Sequence, residues 1–143
     1  MNDQAPKNQI TEAQKQRARD ALQNLPLARM MGMRLVDLRP GEAEIEIEMR
    51  DELRQPAGLL HGGVTATLID TAMAFAVIPC LGERERASTI DLTVHYLRPH
   101  TEGTFMCLAK VVRAGKRILT VSADVFNEQN KLIATAISTY TKI

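Results

Sequence analysis

From residue 42 the chain reads EAEIEIEM, with Ile45, Ile47 and Met49 on one side and Glu44, Glu46 and Glu48 on the other. A period of two marks an antiparallel strand with one face in a core and one in water, so the acidic stripe is a wet sheet face. Residues 34–39 alternate in the same way up to a Pro40-Gly41 turn, and a loop with Pro56 and Gly58 follows over residues 50–60. The pattern then changes. From HGG at 61–63 onward the residues are apolar or small nearly all round, which predicts a helix buried on every side and ended by Pro79 or Gly82. After the charged turn at 82–86, ASTIDLTVHYLRP returns to period two, with Ile90, Leu92, Val94 and Tyr96 on one face. TFMCLAKVVR, RILTVSADVFN and KLIATAISTYTK add three more strands, broken at 114–116 and 128–130. At the other end, residues 1–9 are polar and expected to fray. Thr11-Glu12-Ala13-Gln14 is a helix start for residues 13–23, and a short second turn over 25–31 is stopped by Gly32. The order predicts an α+β architecture: an antiparallel sheet of about five or six strands wrapped around one long central helix, with an extra N-terminal helix.

Composition narrows the class. At 143 residues the chain is long enough for one domain with a sizeable core. Aromatics make up 3% with no Trp, so the core is aliphatic and Met-rich. A net charge of +1 without a basic tract argues against nucleic acid as a partner. Cys80 and Cys107 have no metal-type spacing and are expected as reduced thiols in a cytoplasmic protein. The polar N-terminus is not a secretory signal. The apolar stretch 64–81 contains Asp70 and Pro79 and falls short of the roughly 20 residues of a membrane span. His61, His95 and His100 lack metalloprotease spacing, and no metal site, Ser elbow, P-loop or dinucleotide fingerprint is present; His95 and His100 are expected at a surface or interface.

The chemistry concentrates in HGGVTATLID. An ionised carboxylate on an apolar helix is costly unless partnered, and the helix carries no Lys or Arg to partner Asp70. The bland role for Asp70 is a bond to a neighbouring strand or to a subunit's backbone; the other is a place in a functional site. Gly62 and Gly63 open the helix where four N–H groups lack partners and the helix dipole is positive, an arrangement suited to an oxyanion. They could equally serve a tight turn. Eight residues separate Gly62 from Asp70, roughly 12 Å along a helix. One carbonyl cannot touch both, so a single reaction using both requires two copies of the chain and two composite sites.

The arrangement Gln55, Gly58, HGG at 61–63, Asp70, a strand beginning near Ser88 and Tyr96-Leu97-Arg98-Pro99 resembles the hotdog-fold thioesterases of the phenylacetic-acid-degradation (PaaI-like) group. The resemblance covers roughly residues 30–143, leaving residues 1–29 as a helical extension. It implies a sheet wrapped around a central helix, and homodimers, often dimers of dimers, that hydrolyse acyl-CoA thioesters. It assigns Asp70 as base or nucleophile and the Gly62 or Gly63 N–H as the carbonyl-polarising donor. Gln55 would orient water or thioester, His61 would position, and Ser88 would supply a hydroxyl that assists the water. No cofactor is needed beyond the coenzyme A of the substrate, whose phosphates Arg113, Lys116 and Arg117 could hold around Gly115. Aryl and medium-chain acyl groups both suit the flexible and aliphatic side chains available. Two alternatives remain at this point, a hotdog-fold hydratase or dehydratase and a non-catalytic acyl-CoA-binding protein.

Overall fold

A computed structural model describes residues 9–143; the polar run at 1–9 lies outside the described residues except for Gln9. Helix α1 spans Glu12–Asn24 and α2 Pro26–Met31. Strands β1 (Arg34–Arg39) and β2 (Glu42–Glu48) precede the central helix α3 (Gly62–Val77). Strands β3 (Ala87–Tyr96), β4 (Thr104–Ala114), β5 (Ile118–Asn127) and β6 (Leu132–Lys142) complete the chain. The six strands form one antiparallel sheet in the order β1-β2-β4-β5-β6-β3.

Local chemistry sets these boundaries. Thr11 and Gln14 exchange side-chain and backbone bonds in a capping box at the start of α1. Pro26 opens α2, and Gly32, at φ 72°, closes it. Pro79 ends α3 in a 3-10 turn, Ile78–Cys80. The period of two in β2 is obeyed, since Ile45 and Ile47 are fully buried while the glutamates face out, where Arg39 pairs with Glu42 and Glu44.

The concave face of the sheet packs on α3 through β2, β4 and β5, and Leu68, Ile69, Ala72, Met73 and Ala76 are fully buried there. With its 3-10 extension, Gly62–Cys80 is long and apolar enough by length and composition to cross a membrane. Here it is the helix around which the sheet curls. That wrapping is one-sided, which corrects the expectation of burial all round: Thr67, Asp70, Thr71 and Ala74 are half-buried and Ile78 is exposed. Helix α1 extends the core through fully buried Leu22, and a 2.6 Å Lys15–Asp37 ion pair pins it to β1. The Lys15 ammonium holds the Asp37 carboxyl below its ordinary range.

Strand β3 is an edge, bonded among the described residues only to β6. Its register slips between Thr89 and Asp91, where Thr89 stands opposite Tyr140 and Asp91 opposite Thr139. The Asp91 carboxylate stitches this bulge by accepting the Thr139 N–H at 2.9 Å, and the Ser138 hydroxyl donates to Asp91 O at 2.6 Å. The bulge overturns the expected phase. Thr89, rather than Ile90, shares the inward face with half-buried Leu92 and Val94, while Ile90 is 56% exposed.

His100 departs from its expected surface position. It is buried, with its ring edge-on to Phe105 at 5.1 Å between centroids, and burial lowers its affinity for a proton below the ordinary value of 6.5. The unfolded chain therefore binds this proton first as the medium acidifies. The stability that His100 contributes is complete above the unfolded value and is lost as pH falls from there toward the lower folded one. In urea titrations between about pH 7.5 and 5.5 the wild-type midpoint should fall, and that of His100→Gln should stay nearly level. Parallel slopes for the two proteins would contradict this account.

Candidate active site

Helix α3 begins at a histidine cap. His61 Nδ1 accepts the Gly63 N–H at 2.9 Å, and His61 O accepts the Val64 and Thr65 N–H groups at 3.0 and 3.3 Å. Of the four N–H groups that a helix start leaves without intrahelical partners, only that of Gly62 has no acceptor among the described residues. The expectation of Gly62 or Gly63 as donor thus narrows to Gly62. A Cβ on Gly63 would sit 3.0 Å from His61 Nδ1 and disturb the cap. At Gly62 a Cβ would sit 3.3 Å from Cζ of Tyr96, whose hydroxyl donates to Gly62 O at 2.8 Å.

Gly62 lines a cleft of about 350 Å³ with Gln55, Leu59, Leu60, Tyr96, Leu97 and Ile133. Gln55 Oε1 accepts the Ala57 N–H, which leaves the amide nitrogen Nε2 as the end free to act. In the cleft Gln55 is therefore a donor, suited to a carbonyl oxygen. Arg54 fixes the loop that carries it, donating from Nη1 to Gly58 O and Thr101 O, both at 2.7 Å. Main-chain bonds from Leu60 N to His100 O and from His61 N to Leu53 O, each 2.8 Å, seat the loop beside the helix start.

Asp70 lies elsewhere, two turns along the same helix and outside the cleft lining. Its Oδ1 accepts two hydroxyls, Thr89 Oγ1 and the Tyr140 phenol, both at 2.8 Å, and the phenol also lies 2.9 Å from Asp70 O. Oδ2 has no donor among the described residues. Burial pushes the Tyr140 phenol well above its usual range; a hydrogen bond with Thr89 opposes the rise and the adjacent carboxylate adds to it, so the phenol stays a proton donor. The β3 hydroxyl that bonds Asp70 belongs to Thr89, the neighbour of the expected Ser88. Ser88 is exposed and paired with Thr141, on the opposite strand face from Thr89, and makes no bond to Asp70.

The structure therefore brings Gln55, His61, Gly62 and Gly63 together and sets Asp70 apart from them with Thr89 and Tyr140. The basic turn of Arg113, Lys116 and Arg117 falls at the Asp70 end of the sheet, because Leu119 pairs with Tyr140 and Tyr140 with Thr89. A place for Thr89 and Tyr140 beside Asp70 was not foreseen from the sequence, and Tyr96 stood out there only on its strand face and within the Tyr96-Leu97-Arg98-Pro99 motif. A buried tyrosine hydroxyl needs a partner, and that is the signal Tyr140 offered.

A six-stranded antiparallel sheet curled around one long helix is the hotdog fold. A profile of the Thioesterase superfamily matches residues 57–134, and the chain belongs to that superfamily of thioester hydrolases. It is 30% identical over 135 residues to the medium/long-chain acyl-CoA thioesterase YigI of Escherichia coli K12, spanning 82% of this chain and 85% of that one. Acyl-coenzyme A thioesterase 13 of Homo sapiens is 32% identical over 102 residues, 70% of this chain and 72% of its own. The solved E. coli PaaI protein of the phenylacetic acid degradation operon superposes with a TM-score of 0.80 at 25% identity, covering 90% and 91% of the two chains.

Proposed function

We propose that the protein hydrolyses acyl-CoA thioesters with an aryl or medium-chain acyl group, at a site shared between two copies of the chain. The observation that carries this reading is the division of the reactive groups along α3. Gly62 and Gln55 stand at one end, and Asp70 is held two turns away with one oxygen free. Strand β3 repeats that division. Tyr96 near its end bonds Gly62, and Thr89 near its start bonds Asp70. Its outer edge is unpaired over ten residues, a form that invites another strand. Antiparallel pairing of β3 with β3 of a second copy sets the Gly62 end of one chain against the Asp70 end of the other. The half-covered face of α3 lies on the same side of the fold and supports such an association.

In the composite site the Gly62 N–H and Gln55 Nε2 donate to the thioester oxygen. Asp70 Oδ2 of the second copy takes a proton from water as its oxygen adds to the carbonyl carbon. The oxyanion rests on the two donors until the C–S bond breaks, and the departing thiolate takes up the proton. A nucleophilic route would use the same Oδ2 and the same donors. His61 holds the helix start and takes no proton. The apolar side chains Leu59, Leu60, Leu97 and Ile133 suit the acyl portion, and Lys116 and Arg117 of the chain that supplies Asp70 are suited to the phosphates of coenzyme A.

Purified protein given a panel of arylacetyl- and medium-chain acyl-CoA esters should release free thiol. Asp70→Asn should slow that release by about a hundred- to ten-thousandfold. Equal rates would remove Asp70 from the reaction, and no thiol from any ester would favour an acyl-CoA-binding protein. The Gly62 donor has its own test. Proline is well accepted at the first helical position, and the extended His61 backbone (φ −65°, ψ 129°) suits a residue preceding it. Gly62→Pro should lower kcat by about a hundred- to thousandfold with the fold retained. Gly62→Ala, equally crowded against Tyr96 but with its N–H, should lose far less. Similar losses in both variants would assign the effect to crowding.

A further inference from the structure

We infer that Tyr140 is a positioning residue for the hydrolysis: its phenol fixes Asp70 Oδ1 and leaves Oδ2 as the one oxygen that meets the reacting water or thioester carbon. This rests on the assignment of Asp70 above and adds to it a division of labour between the two carboxylate oxygens. An aspartate side chain turns easily about its terminal bond, whose energy profile is broad and nearly two-fold. Unrestrained, the two oxygens exchange places, and the lone pair offered to a reactant wanders with them.

Two hydroxyl donors on the same oxygen remove that equivalence. Thr89 Oγ1 and the Tyr140 phenol each reach Oδ1 at 2.8 Å. The phenol also lies 2.9 Å from Asp70 O, so it ties the side chain to the backbone of its own residue. Both donors are fixed by the sheet, since Thr89 and Tyr140 are direct cross-strand partners and Leu119 flanks Tyr140 on the other side. The bulge that follows Thr89 turns that residue inward, and its stitching by Asp91 keeps the register from sliding.

Packing alone does not require this hydroxyl. Ala134, Ala136 and Ser138, which precede Tyr140 on the inward face of β6, are small and give α3 room to approach. A phenylalanine ring would fill the space of Tyr140, which is 2% exposed, yet the hydroxyl makes its bonds to Asp70. Because burial keeps the phenol protonated, it donates to the carboxylate throughout the working range.

The test is steady-state kinetics on a double-mutant cycle of Tyr140→Phe and Asp70→Asn, with thermal unfolding of each protein as the check on folding. Tyr140→Phe alone should lower kcat by about ten- to hundredfold, the scale on which misplaced reacting groups lose rate, and leave KM within about twofold. In the Asp70→Asn background, Tyr140→Phe should change the residual rate by less than about twofold, because the carboxylate through which it acts is gone. A purely structural tyrosine would give the same loss in both backgrounds, and that result overturns the inference. So does an unchanged kcat for Tyr140→Phe beside a slow Asp70→Asn, which leaves the role of Asp70 standing. A wild-type rate for Asp70→Asn removes both assignments together.

Discussion

A helix is a rigid ruler, and α3 holds its first N–H and its only carboxylate about 12 Å apart. No movement of side chains brings the two to one carbonyl, since the Gly62 N–H belongs to the backbone and Asp70 Oδ1 is tied by two hydroxyls. Much of what the fold does follows from that spacing. The sheet covers one side of α3 and leaves the Asp70 face half open. The strand beside that face is an edge, bonded to Gly62 through Tyr96 near its end and to Asp70 through Thr89 near its start.

The two halves are built by different means. At the helix start, His61 satisfies Gly63, its own carbonyl satisfies Val64 and Thr65, and one N–H remains. At Asp70 the sheet supplies the constraint, through a tyrosine near the end of β6 and a threonine aimed by a bulge in β3. The first device leaves a donor unsatisfied and the second leaves an acceptor unsatisfied. Each therefore carries free hydrogen-bonding capacity that another molecule can meet.

The fold was largely legible in the residues because its signals are local. Period two in β2, the capping box of α1, Gly32 and Pro79 each act within a few positions of themselves. Strand order was not legible, since β3 pairs with β6 residues 38 to 55 positions later in the chain, and nothing in either strand names the other. The same limit hid half of the site. His61, Gly62 and Asp70 stand in one ten-residue stretch, but Tyr140 reaches Asp70 across 70 positions. Ile90 was placed on the inward face in place of Thr89, because a bulge shifts every residue before it to the other face and leaves no mark on the pattern. His100 was misjudged for a related reason: its burial comes from Phe105 and the loop before α3, and neither is visible at its own position.

The claim that the reaction needs both chains is tested most directly by complementation. Asp70→Asn and Gly62→Pro proteins, each slowed about a hundredfold or more, are unfolded together and refolded as an equal mixture. Half of the dimers then contain one chain of each kind. If every site joins the helix start of one chain to the aspartate of the other, each mixed dimer regains one intact site, and the mixture recovers about a quarter of wild-type activity. If each site lies within a single chain, every site keeps a defect and the mixture stays as inactive as its parts, which would contradict the account.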